Sequence, residues 1–228
     1  MPLFFMHITK TAGGSLKSAL KASDANVAFH YPHEEGFRHG FDYPDETEII
    51  FGHYRFGVHE IAGKEPRYAC FLREPVERMI SHYNHLKNND RGPVGNRLRT
   101  FPTMADYLTK ARHWEFDNFL CRLIAGSANR PAHGNVGYNT YAQARENLMR
   151  HFEFVGIFER MDESLSLLRQ IVPTLSDDLP TVNKGSYGSA PSEEDYRIVD
   201  ALTRYDQMLY RDALALFEIA SASVAESA

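Results

Sequence analysis

Lys10-Thr11-Ala12-Gly13-Gly14-Ser15 sets one positive charge, two hydroxyls and two adjacent glycines side by side. Such a stretch can hold an anion if the chain around it folds as strand, tight turn and helix. Successive backbone N–H groups and a helix N-terminus then converge on one point. The flanks suit that fold. Pro2-Leu3-Phe4-Phe5-Met6 is a short apolar run fit for a buried strand, and Leu16-Lys17-Ser18-Ala19-Leu20-Lys21 suits a helix. Gly13 and Gly14 let backbone approach a ligand with no side chain in the way, and Thr11 and Ser15 can add hydroxyl donors. The nucleoside-triphosphate loop G-x-x-x-x-G-K-[ST] carries its lysine at the end. Here Lys10 opens the loop and the leading glycine is absent. A β–α turn without chemistry is the other reading of so short a motif.

Two later segments place reactive side chains just past candidate strands. Glu48-Ile49-Ile50-Phe51-Gly52 reads as a strand, and His53 follows it. Open α/β sheets bind ligands beyond the C-terminal ends of their strands, and histidine is the side chain best matched to proton transfer near neutral pH. His53 is therefore the candidate general base. A loop histidine satisfied by a backbone carbonyl is the alternative, and His59 is a weaker competitor. Arg67-Tyr68-Ala69-Cys70-Phe71-Leu72 is the third strand and runs into Arg73-Glu74-Pro75-Val76-Glu77-Arg78-Met79-Ile80-Ser81-His82-Tyr83. Pro75 suits the first turn of a helix, and Val76, Met79, Ile80 and Tyr83 make an inward stripe. Arg73 at the junction and Ser81 within the next two turns can jointly grip a phosphate, the arginine by bidentate contact. Arg78 is expected to pair with an acidic neighbour.

Lysine first, then Thr-Ala-Gly-Gly-Ser, resembles the 5′-phosphosulfate loop of sulfotransferases that use 3′-phosphoadenosine 5′-phosphosulfate (PAPS). The resemblance is to the branch containing the heparan and chondroitin O-sulfotransferases and bacterial relatives, sulfotransferase family 2. That branch tends to read His-x-Pro-Lys-Thr-Ala-Gly-Thr-Ser, so Thr9 and Gly14 depart from it. Leu-Arg-x-Pro-x-x-Arg-x-x-Ser-x-Tyr resembles its 3′-phosphate motif, Gly-His-x-x-Phe at residues 52–56 the place of its catalytic base, and Asn183-Lys184-Gly185-Ser186-Tyr187 the loop that closes over the 3′-phosphate and adenine. Further matches are Asp-Asn-x-x-x-Arg-x-x-x-Gly from Asp117 and the run from Val155 to Arg160.

The resemblance implies in-line transfer of a sulfuryl group from PAPS to a hydroxyl, with 3′-phosphoadenosine 5′-phosphate (PAP) as product. It implies His53 as base and Lys10 at the bridging oxygen. It implies a nucleotide site of Lys10, Thr11, Ala12, Gly13, Gly14, Ser15, Arg73, Ser81, Lys184, Gly185 and Ser186, and no metal. A glycan or small-molecule hydroxyl is the expected acceptor. A nucleotide-dependent kinase and a non-catalytic PAPS- or polysaccharide-binding module are the rival readings.

A length of 228 residues with 43% hydrophobic content fits a single domain over 1–228 with a sizeable core. The expected architecture is a three-layer α/β fold, P-loop-like, with a central, mostly parallel sheet between helices. A net charge of −5 argues against a general nucleic-acid binder. Two cysteines, Cys70 and Cys121, make no disulfide framework and suit reduced thiols. No signal peptide is legible, and no run approaches the ~20 apolar residues of a membrane span. A soluble, cytoplasmic, bacterial protein is expected, with a frayed tail from about residue 221. Residues 22–48 read as loop with short elements, and their histidines as surface groups, not metal ligands. Residues 88–103 read as a basic loop, a mobile grip on an anionic acceptor being the sharper alternative. A helix is expected from Tyr141 to Met149. A single long amphipathic helix is expected from Ser192 to about Ile219, with Tyr196, Val199, Leu202, Tyr205, Leu209 and Leu216 turned to the core.

Overall fold

The computed structural model describes residues 1–32, 34, 36–126, 131–176 and 190–225. Five strands form one sheet: β1 (Leu3–Met6), β2 (Val27–His30), β3 (Ile49–Gly52), β4 (Tyr68–Leu72) and β5 (Phe152–Ile157). Every pairing is parallel, in the order β2-β3-β1-β4-β5. The three central strands are apolar throughout and buried at every residue, as a parallel sheet covered on both faces requires. Aromatic rings knit them together. Phe4 stacks on Tyr68 at 5.3 Å, and Phe5 meets Phe51 at 5.3 Å and Phe71 at 6.3 Å.

The helices in chain order are α1 (Gly13–Ala22), α2 (Val58–Ala62), α3 (Pro75–Asn89), α4 (Pro93–Leu98), α5 (Met104–Lys110), α6 (Phe119–Ile124), α7 (Tyr138–His151), α8 (Met161–Ile171), α9 (Glu193–Leu202) and α10 (Arg204–Ala225). The chain leaves β1 through α1 toward β2, on one side of β1. It leaves β3 through α2 toward β4, on the other side. Right-handed crossovers in opposite directions lie on opposite faces of a sheet, which gives the three layers expected. A second apolar cluster, with Met79, Ile80, Tyr83, Leu98, Tyr107, Phe116 and Val199 among its members, packs α4, α5 and α9 against α3.

The structure departs from the sequence reading in several places. Val27–His30 is a strand, and Pro93–Leu98 interrupts the basic loop with a helical turn and a half. The helix expected at Tyr141–Met149 begins at Tyr138 and runs to His151. The long C-terminal helix is two, broken at Thr203, whose hydroxyl donates to the Val199 carbonyl at 2.8 Å. Tyr196 is exposed, and the buried face of α10 is Leu209, Tyr210, Ala213 and Phe217. The tail stays helical as far as Ala225.

The break is enforced from a distance. The Asn118 side chain accepts from the backbone N–H groups of Tyr205 (2.8 Å) and Asp206 (3.2 Å), capping α10. In return the Asp206 carboxylate accepts from Leu120 (3.0 Å) and Cys121 (2.8 Å) at the start of α6. Replacing Asp206 with alanine leaves two buried N–H groups unsatisfied and should cost about 3 kcal/mol, the scale of a lost cap plus orphaned donors. Urea unfolding of Asp206→Ala against the parent protein measures it.

Candidate active site

Three strand ends meet at one edge of the sheet because β1 lies between β3 and β4 and all three run the same way. Met6, Gly52 and Cys70 are level in register, and neighbouring strands lie about 4.8 Å apart. The loop carrying Lys10 leaves the middle strand, His53 follows the strand on one side, and Arg73 the strand on the other. The connection leaving β1 runs to one side of the sheet and the one leaving β4 to the other, which makes this the switch point at which open α/β sheets form a ligand crevice.

The loop is folded by its own backbone. Lys10 and Ala12 take left-handed conformations, φ 72° and 62°, which residues with a Cβ adopt only at a cost. The Thr11 hydroxyl donates to the Ile8 carbonyl at 2.8 Å and is buried. It therefore braces the turn from within. Ser15 is buried in the first turn of α1. Ala12 gives α1 no side-chain cap, and no acidic residue stands in that turn. The positive end of the helix is thus presented to the crevice. Thr9 buries its hydroxyl oxygen without a partner, at the position where the related pattern has a proline with no polar side chain.

At the start of α3 the arrangement is the opposite. Glu74 caps this helix, accepting from the N–H groups of Val76 (3.1 Å) and Glu77 (2.8 Å). An anion beside α3 must therefore be held by side chains. The Arg73 guanidinium is nearly buried, 4.7 Å over the Phe158 ring and 3.9 Å from the Glu77 carboxylate. Ser81 is buried on the same helix. His85, four residues on and on the same face, is held below its ordinary pKa by burial and then by the charge of Lys10. The charge of Lys10 is thus felt at His85 on α3. Arg78 is fully buried and does not bond an acidic side chain directly. Its Nη2 donates to the Glu115 carbonyl at 3.3 Å, and its guanidinium lies 4.6 Å over Phe119.

His53 is exposed, and its Nδ1 lies 2.8 Å from the backbone oxygen of His7. A carbonyl only accepts, so Nδ1 carries the proton and Nε2 the lone pair. The carbonyl contact expected of a plain loop histidine is therefore present, and it is compatible with Nε2 accepting a proton. His59 is no competitor: it is buried, with Nδ1 2.8 Å from the hydroxyl of Tyr68, the first residue of β4. Lys184, Gly185 and Ser186 lie outside the described residues. Among the described residues no three metal-ligating side chains come together; His30 meets the Tyr43 hydroxyl at 3.0 Å and His82 the Glu115 carboxylate at 2.6 Å.

Sequence reasoning passed over His7. Its part-covered imidazole packs under the loop, and a Cβ added at Gly13 would lie 1.5 Å from its Nε2. Gly13 is a glycine because of His7 as much as because of any ligand. The legible signal was a histidine ending the first strand six residues before an obligatory small residue.

A model of the sulfotransferase family matches residues 2–213. The chain belongs to the sulfotransferase family. It is also similar to the crystal structure of mouse sulfotransferase SULT7A1 complexed with PAP, at 12% identity and a TM-score of 0.48. The match covers 91% of this chain and 66% of that one, so the chain spans just under two thirds of that neighbour's length. No curated protein matches the sequence.

Burial pushes the His7 imidazole down to about 3, with the neighbouring His53 and Lys17 adding to the effect. Between about pH 6.5 and 3 the unfolded chain binds a proton at His7 that the folded chain refuses. Stability therefore falls as the pH falls through that window, by at most ~1.4 kcal/mol per pH unit for the one proton. His30, pushed down to about 4 by burial and His39, adds in the same sense. Denaturant unfolding at stepped pH should show a shallower acid-side fall in His7→Phe than in the parent.

Proposed function

We propose that this protein transfers the sulfuryl group of PAPS to a hydroxyl. One observation carries the reading: the uncapped start of α1 with Lys10 sits between His53 on one flank and Arg73 with Ser81 on the other, all at the β1/β4 switch point. The α1 amides and the loop backbone of residues 11–15 receive the 5′-phosphate. Arg73 and Ser81 hold the 3′-phosphate, a group that ADP lacks, and Lys184, Gly185 and Ser186 are assigned to the same nucleotide from the resemblance.

The chemistry is an in-line displacement at sulfur. The acceptor oxygen forms the new S–O bond while its proton passes to His53 Nε2. The S–O bond to the 5′-phosphate breaks, and its electron pair stays on the phosphate oxygen of the departing PAP, next to Lys10. Catalysis is then positioning and charge stabilisation at the leaving oxygen, as in phosphoryl transfer. Cationic side chains and helix amides meet that charge, so the mechanism needs no metal. A carbohydrate hydroxyl is the acceptor that the family resemblance supports. The two buried free thiols, Cys70 and Cys121, support a reducing, cytoplasmic setting. Among the described residues no helix is long and apolar enough to cross a membrane.

Thermal unfolding with PAP, ADP or ATP–magnesium tests the reading. PAP at ~100 times its dissociation constant should stabilise by about 2.7 kcal/mol, and ADP should do far less. A shift with ATP–magnesium and none with PAP would turn the assignment toward a kinase. Lys10→Ala should slow PAP release from PAPS by ~100-fold or more, the size of one lost electrostatic stabiliser. His53→Ala should abolish transfer and leave PAP binding near the parent value; collapse of PAP binding would make His53 a nucleotide contact.

A further inference from the structure

We propose that His7 is a positioning residue that couples the base to the phosphate loop; the inference rests on His53 being that base. His7 touches both halves of the site. Its carbonyl accepts the His53 Nδ1 proton at 2.8 Å. Its imidazole stacks on the His53 ring at 4.3 Å and 22°, and on Phe51 at 5.3 Å and 19°. Phe51, His7 and His53 thus form a column of three rings whose last member is solvent-exposed. On its other side the His7 ring lies against α1, where position 13 has no room for a Cβ.

The column is anchored from β2. Tyr31, the residue after that strand, is buried, and its hydroxyl meets His7 Nδ1 at 2.5 Å. The Tyr31 ring stands edge-on to His53 at 5.0 Å. Tyr31 is covered in turn by Lys17 of α1, whose ammonium lies 4.6 Å over its ring and pairs with Glu34. The contacts therefore close a circuit from Lys17 of α1 through Tyr31 and His7 back to α1 at Gly13, with the His53 ring set against both Tyr31 and His7.

Two consequences follow for an exposed base. An unsupported histidine at the surface samples several rotamers and both neutral tautomers. The ring stack limits the rotamers, and the carbonyl selects the tautomer with Nε2 unprotonated. His7 thereby sets the separation between Nε2 and the loop that receives the 5′-phosphate. A displacement of ~1 Å between reacting groups can cost ~100-fold in rate.

The test uses the full chain with three substitutions: His7→Leu, which removes the ring but keeps the carbonyl; His7→Phe, which restores the stack; and Tyr31→Phe, which removes only the hydroxyl. Nitrogen-15 NMR of the His53 ring reads the tautomer without any acceptor. The parent should show Nδ1–H alone and His7→Leu a mixture of both forms. PAP affinity should stay within ~3-fold, while PAP release from PAPS, with a chemically desulfated polysaccharide as hydroxyl donor, should drop by ~10-fold or more. His7→Phe should recover most of the lost rate and the single tautomer, and Tyr31→Phe should fall between. An unchanged His53 tautomer in His7→Leu would overturn the proposal. So would loss of PAP affinity in step with rate, which would make His7 a support of the nucleotide loop alone. His53→Ala separates the two claims. Undiminished turnover in that variant would remove the base assignment, whereas an inactive His53→Ala beside a fully active His7→Leu would remove only the role of His7.

Discussion

Strand β1 is hydrogen-bonded along both edges and buried on both faces. A one-residue slip would turn its whole side-chain set to the opposite faces, forcing Leu3, Phe4, Phe5 and Met6 into new cavities among Phe51, Tyr68 and Phe71. The register of β1 against β3 and β4 is thus strongly determined, and the site inherits that precision. His7, the first residue past β1, presents its carbonyl to His53, the first residue past β3, because Met6 and Gly52 are register partners. Arg73 keeps its place past β4 for the same reason. No loop has to find the others.

Electrostatics divides the crevice into two differently built halves. A chain of net charge −5 binds an anion only through local arrangement. On the β1 side that arrangement is backbone: an uncapped helix start with Lys10 at the loop's opening. On the β4 side Glu74 already occupies the helix start, which leaves the side chains of Arg73 and Ser81 as the proposed donors. A base at His53, as proposed, needs a neutral neighbour. A protonated His7 beside the His53 ring would oppose a proton taken up there, by ~4 kcal/mol for unit charges 4 Å apart at an effective dielectric constant of 20. Burial keeps His7 neutral across the physiological range, so the stacked partner steers His53 without competing with it.

The place of the candidate site residues in the fold was legible because strand ends and glycines mark them in the chain. His53 and Arg73 each follow an apolar run directly and Lys10 comes four residues after one, and an apolar run buried on both faces admits few readings. What was not legible depends on contacts between distant residues. Val27–His30 is a four-residue strand, half-covered at the sheet edge and without a continuous apolar pattern. The break at Thr203 has no proline or glycine to announce it. It is imposed by Asn118, 87 residues earlier than the Tyr205 amide it caps. Thr11 looked like a ligand donor because its type suits one, and only the close approach of the Ile8 carbonyl reveals that its hydroxyl is occupied.

Arg78 explains how the helical half is joined to the sheet half. It lies on α3 between Arg73 and Ser81, but its side chain turns into the protein, over Phe119 of α6 and against the backbone of Glu115. Burial lowers its pKa to about 10, against the opposing pull of Asp206 and Glu115, so it stays charged at neutral pH. Two of its nitrogens, Nε and Nη1, have no hydrogen-bond partner among the described residues, and a buried charge so incompletely satisfied opposes stability. Asp206 answers it from α10, where its carboxylate already caps α6. One buried cation thus faces the two helices that cap each other, and it rides on α3, the helix that carries Ser81 and starts two residues after Arg73. The seating of α3, and with it the position of Ser81, is therefore set as much from its buried side, by Arg78 against Phe119 and the Glu115 backbone, as by the strand from which α3 departs.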